Sequence, residues 1–113
     1  MEDLAIGALT QALNGLALRQ RYIAADTANI ETPGYLAHRI DFESSLAAAV
    51  QEGDPAAAAT SVQTSLEPTR VNGNNVNLDE ETTNNIETVL RYQFATQAMN
   101  QQFQGVRAAM KVS

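Results

Sequence analysis

The chain has no cysteine, no tryptophan and a single histidine. Without thiols it can form neither disulfides nor thiolate metal sites. Aromatic residues make up 5% of its 113 residues, and much of the 44% hydrophobic share is alanine. Alanine buries little area, so the core open to one domain of this length is small. Burial shared with other subunits is the easier way to offset chain entropy. Basic residues are also scarce, seven against thirteen acidic ones, for a formal net charge of −6. Nucleic-acid backbones and anionic membranes select for basic patches, so neither is expected as the main partner. No apolar run approaches the ~20 residues that cross a bilayer, and no direct membrane insertion is expected. Met1-Glu2-Asp3-Leu4 is acidic and lacks the order of a cleaved secretory signal. The expectation is a cytoplasmic chain, or one that leaves the cell by another route.

What is present is organised around Asn29-Ile30-Glu31-Thr32-Pro33-Gly34-Tyr35. Proline removes a backbone donor and pushes the residue before it away from helical angles. Gly34 can take positive φ, so Pro33-Gly34 is a strong turn signal. Before it, from about residue 3 to 30, Ile6, Leu9, Leu13, Leu16, Ile23 and Ile30 recur at heptad-like spacing, with Gln20 and Thr27 as polar interruptions. A second stripe runs through Leu4, Leu18 and Tyr22, and a helix apolar on two stripes has more than one neighbour. Gly7 and Gly15, costly in a helix, suggest close helix approach in an assembly as well as marginal stability.

After the turn, Ile40 and Phe42 alternate with charged residues, as in a short extended segment. Residues 43–51 read as a short helix ended by Gly53-Asp54-Pro55. Residues 56–65 read as a flexible or extended connector, and 66–71 as a short strand. Asn72-Gly73-Asn74-Asn75 reads as a turn with positive φ at both central positions. Asn77 is then an N-cap, with Glu80 completing a capping box. From there to about residue 111 the seam is Thr82, Asn85, Val89, Tyr92, Thr96, Met99, Phe103, Val106 and Met110, beside a second stripe at Ile86, Leu90 and Phe94. The expected fold is mainly α: two long terminal heptad-patterned helices packed as an antiparallel coiled coil, with a largely irregular or extended middle that holds a short helix or strand. Residues 1–35, 36–76 and 77–113 are its three segments. The second stripes would stay exposed in a monomer, which implies assembly.

No catalytic, cofactor or metal residues are assigned. His38 lacks a recognisable nucleophile and orienting partner and reads as a surface or interface side chain. Residues 72–81 are rich in oxygen ligands but lack the spacing of a calcium loop. Glu80 and Glu81 are adjacent on a helix and do not face each other. Pro33-Gly34 is followed by no phosphate-loop sequence.

Ala28-Asn29-Ile30-Glu31-Thr32-Pro33-Gly34-Tyr35 resembles the Ala-Asn-x-x-Thr-Pro-Gly-Tyr signature of bacterial flagellar rod and hook proteins. Ile40-Asp41-Phe42, Gly73-Asn74-Asn75-Val76-Asn77-Leu78-Asp79-Glu80-Glu81 and Arg91-Tyr92-Gln93 are similar to a proximal-rod member of that axial family. Thr27, Asn72, Asn77 and Thr82 depart from its usual residues. The resemblance implies a non-enzymatic structural subunit of the basal-body rod, exported by the flagellar type III apparatus without a cleaved signal and packed by its helices to transmit torque. It implies Asn29, Thr32, Pro33, Gly34 and Tyr35 as an assembly turn. The implied partners are other flagellar rod proteins, the rod–MS-ring adaptor, the export gate and further copies of itself. One rival is a sibling proximal-rod protein, which shares the first string but not the second; the other, from pattern alone, is a cytoplasmic coiled-coil adaptor or secretion chaperone. The latter explains the helices and the acidity, but not the two specific strings.

Overall fold

The computed structural model describes residues 2–112; Met1 and Ser113 lie outside the described residues. Two long helices dominate, α1 (Glu2–Ala28) and α3 (Leu78–Val112). At ~1.5 Å per residue they are about 40 and 52 Å long, in a body of 66 × 25 × 15 Å. They pack antiparallel: contacts climb α1 from Leu16 through Gln20 to Asp26 while they descend α3 from Ala95 through Asn85 to Glu81. Between them in sequence lie β1 (His38–Asp41), α2 (Glu43–Gln51), a short 3-10 turn (Pro55–Ala57) and β2 (Ser61–Thr64).

The middle is more ordered than its composition suggests. β1 and β2 form an antiparallel pair in the register His38↔Thr64 to Asp41↔Ser61. The second strand therefore falls inside the stretch expected as a connector, and the strand expected at 66–71 is an exposed loop. Alanine and serine are poor strand signals, and one valine and one threonine do not outweigh them; pairing to Arg39, Ile40 and Asp41 supplies what propensity does not. α2 begins and ends where its residues predict.

These middle elements lie along α1. The Phe42 ring sits on Gly15, where a Cβ would come within 2.5 Å of it, and Pro55 sits on Gly7 at 3.3 Å by the same measure. Both glycines thus receive the chain's own middle, where the pattern suggested a second helix. Leu16, Phe42 and Ala95 form the buried core, flanked by Leu9, Ala12, Leu13 and Leu46. Arg19 lies 4.9 Å over the Phe42 ring and holds Glu43 through paired bonds of 2.7 and 2.9 Å, while Arg91 reaches the same carboxylate at 3.2 Å. One acidic residue at the start of α2 thereby ties both long helices to the middle.

On α3 the inward seam is displaced from the expected one. Glu81, Asn85, Thr88, Ala95, Met99, Gln102 and Val106 are buried or half-buried. Val89, Tyr92, Phe103 and Met110 lie on the exposed side, at 38%, 42%, 47% and 71% exposure. The reason is steric: Phe42 enters between the helices, and only a small side chain such as Ala95 fits opposite it. The second stripe of α1 is not open as expected either. Leu4, Leu18 and Tyr22 are half-buried, and Tyr22 lies against His38 with ring centroids 4.8 Å apart. Among the described residues no helix is long and apolar enough to cross a membrane.

Candidate functional site

The turn after α1 and the Asn-rich turn before α3 form one unit. α1 ends because Pro33 cannot continue it, and Asn29 caps it by donating from Nδ2 to the Ala25 carbonyl at 2.8 Å. Thr32-Pro33-Gly34-Tyr35 then makes a tight turn closed by the Tyr35 amide to the Thr32 carbonyl at 3.3 Å. With proline second and Gly34 third at φ 75°, this is the type II arrangement.

The second turn clasps the first. The Gly34 amide donates to the Asn72 carbonyl at 2.8 Å and the Asn75 amide to the Tyr35 carbonyl at 3.2 Å. Asn74, fully buried, donates from Nδ2 to the carbonyls of Asn29 and Thr32, both at 2.8 Å, while its Oδ1 accepts from Arg70 and from the Val76 amide. Arg70 spans the joint, donating to the carbonyls of Ile30 at 2.6 Å and Val76 at 2.7 Å. Asn75 performs the same service for β1: its Oδ1 accepts the Ala37 amide at 2.7 Å, and its Nδ2 donates to the carbonyls of Ser65 and Glu67. Only Gly73 of this turn has positive φ, at 82°; Asn72 does not, contrary to the two-residue expectation. The turn must instead bring its main chain against Gly34.

A carboxyl cluster lies beside the clasp. Asp26 is 1% exposed and accepts from the Tyr35 hydroxyl at 3.1 Å and the His38 amide at 2.8 Å, with His38 Nδ1 2.7 Å from its Oδ1. His38 is therefore not a surface side chain; it stands half-buried between the Tyr22 and Tyr35 rings. Glu81, 5% exposed, faces the Asp26 carboxyl group. Burial first, and the Asp26 carboxylate next, raise the Glu81 carboxyl to about 7. Burial and the bond to Asp26 likewise hold the Tyr35 phenol above its ordinary value. By contrast the Arg19 guanidinium draws Glu43 down to about 2.

At the head of α3, Asn77 Oδ1 accepts from the amides of Asp79 at 3.0 Å and Glu80 at 3.3 Å. The Glu80 carboxylate faces Arg39 at 3.6 Å, not the back-bonding position a capping box would give it. Farther along, two polar seam residues meet: Gln20 donates to Asn85 at 2.8 Å, which fixes the register of the helices. Ile6, Leu9, Leu13, Leu16 and Ile23 sit on the packed side of α1, with Ile30 half-buried in the turn. Of the α3 residues expected in the seam, Asn85, Met99 and Val106 share that packing; Val89, Tyr92, Phe103 and Met110 lie on the exposed side. Ile86, Leu90 and Phe94, at 63%, 51% and 65% exposure, form an apolar stripe on the back of α3 away from α1. Asp26 and Arg70 are not singled out by sequence, and Asn74, Asn75 and Glu81 read only as turn and first-turn residues. The one available signal was Asn74-Asn75, two amides beside a glycine, which can each satisfy several main-chain groups at once.

The polar groups of the clasp are spent on main-chain carbonyls and amides, and no buried polar side-chain atom among the described residues lacks a partner. The described chain is a pair of long helices locked at one end, with an apolar back on the longer one, the form of a structural, helix-packing protein. The relatives agree. The chain is 32% identical to the flagellar basal body rod protein FlgB of Escherichia coli K12 over 92% of its own length and 91% of that protein's. It is 31% identical to the FlgB protein of Salmonella typhimurium over the same shares, and 30% to that of Yersinia enterocolitica over 89% of each. No family model matches the chain. It belongs to the FlgB family of flagellar basal body rod proteins.

Proposed function

We propose that this chain is a structural subunit of the proximal rod, exported unfolded or partly folded by the flagellar type III apparatus without a cleaved signal. It assembles by helix packing with further copies of itself, other rod proteins, the rod–MS-ring adaptor and the export gate. There it transmits torque by packing, with no chemical step. The observation that carries this reading is the open stripe Ile86, Leu90 and Phe94, on the face of α3 turned from its own partner helix. Three large apolar side chains at four-residue spacing are a helix-packing surface, and the clasp fixes the helix pair that presents them.

The test is a Leu90→Glu, Phe94→Glu chain expressed in place of the native one. The reading expects soluble chain with normal helix content, no chain in purified basal bodies and lost motility. Normal swimming would sink it. Wild-type chain that stays in the soluble cytoplasmic fraction and never co-purifies with basal bodies would favour the adaptor reading instead.

A further inference from the structure

Asp26 and Glu81 bring two carboxyl groups together where four parts of the fold meet: the end of α1, the Tyr35 turn, β1 and the first turn of α3. Both are nearly sealed from solvent, at 1% and 5% exposure. The Asp26 oxygens already accept from Tyr35 and from the His38 amide, with the His38 ring alongside. A second carboxylate arriving there finds acceptors, not donors. It can bond to Asp26 only if it carries the proton itself, because two ionised carboxylates in contact and out of water repel strongly.

We propose that Glu81 carries a proton directed at the Asp26 carboxylate, and that this proton is a latch. Protonated, Glu81 holds the head of α3 to the end of α1; ionised, it pushes that head away. The proton enters and leaves through Glu81, a residue that borders the cleft of roughly 380 Å³ between α1, β1 and α3.

The charged and titratable neighbours decide the sign. α1 contributes Asp26, the turn Tyr35, β1 His38 and Arg39, and α3 Glu80. Asp26 and Glu80 disfavour ionisation of Glu81, whereas Arg39 favours it. Arg39 is already shared with Glu80 at 3.6 Å and with Glu67 at 3.3 Å, both in solvent, so it offsets little. Arg19, Glu43, Glu87 and Arg91 line the same cleft, and Glu43 takes up Arg19 and Arg91.

Glu81 is raised from 4.5 to about 7 on folding. The folded state therefore binds more protons than the unfolded one in that range, and stability falls as pH rises through it. The linkage relation gives about a tenfold fall in the folded-to-unfolded ratio between pH 6 and pH 8.

The experiment is urea denaturation of the full chain at pH 6 and pH 8, for wild type and Glu81→Gln. Glutamine keeps the shape and a donor but cannot ionise. Wild type is expected to lose about tenfold in that ratio, and Glu81→Gln to lose several-fold less. Equal slopes in the two proteins would overturn the latch. If the isolated chain is only partly folded, the same linkage reads as helix content. Acidification from pH 8 to pH 6 should then raise ellipticity at 222 nm in wild type and leave Glu81→Gln nearly flat. A carboxyl-carbon NMR titration of Glu81 in wild type gives a second decision: a midpoint near neutrality supports the latch, and one at the ordinary 4.5 defeats it. None of these readouts depends on rod assembly, so the latch and the proposed function stand or fall separately.

Discussion

Gly73 lies so close to Gly34 that a Cβ built on the former would stand 3.3 Å from the Cα of the latter. Both have positive φ, and the space beside Gly34 is otherwise open. The two positions therefore fail differently when substituted.

Gly34→Ala carries the left-handed backbone penalty alone, about 1 kcal/mol, whereas Gly73→Ala adds a backbone contact and should cost about 2–3 kcal/mol. Urea midpoints of the two variants check the order; equal losses would mean the turns are not clasped as described. Gly34→Val, with a branched side chain at positive φ, should also impair rod assembly and motility.

Asn74→Ala should cost more than any neighbouring asparagine. It strips the side-chain donor from the carbonyls of Asn29 and Thr32 and the acceptor from Arg70 and the Val76 amide, at full burial. Unsatisfied buried groups cost roughly 1–3 kcal/mol each, so a loss of at least ~2 kcal/mol is expected. Asn72→Ala, at an exposed position, should lose far less. Thermal melts of the two variants decide it.

Gly15→Ala should destabilise the chain although alanine is the better helix former. The gain in propensity is about 1 kcal/mol. The ring of Phe42 must move out of a 2.5 Å clash, and overpacking of a tight core costs about 1–3 kcal/mol. Phe42→Leu should recover part of the loss in the double variant. Strictly additive losses would show that the two residues do not meet.

Acid should weaken the anchor of α2. Glu43 is drawn from 4.5 to about 2 on folding, so its contribution is present above 4.5 and is lost as pH falls towards 2. Its side chain is 44% exposed, so the effect is modest. Arg19→Met should remove most of this acid dependence in pH-dependent denaturation, an effect opposite in sign to that of Glu81.

Much of this architecture was legible from residues whose local chemistry leaves few choices. Pro33 ends α1, Gly34 makes the turn, Asn77 caps α3, and the four-residue spacing of Phe42, Leu46 and Val50 marks α2. The inward face of α3 was not legible, because the heptad argument assigns the bulkier apolar stripe to the nearest partner. Here the nearest partner takes small or polar side chains such as Thr88 and Ala95 over the middle of α3, and Val89, Tyr92 and Phe94 face away. The clasp was hidden for another reason. Both turns were recognised, but nothing in a linear pattern says that Asn74 will reach carbonyls 42 and 45 residues earlier.

The clasp also sets an order of assembly within the chain. Its bonds close loops of 38 to 45 residues, while the α1–α3 pairing at Gln20 and Asn85 spans 65. Shorter loops cost less entropy to close. The turn-and-strand body can therefore form first and the far end of α3 can dock last. What docks last undocks first, so amide exchange should quicken along α3 from Thr88 towards Val106 while the Gly34 amide stays slow. In the proposed assembly an arriving subunit would meet a fixed joint with one yielding limb, already shaped at its base and free to settle at its tip.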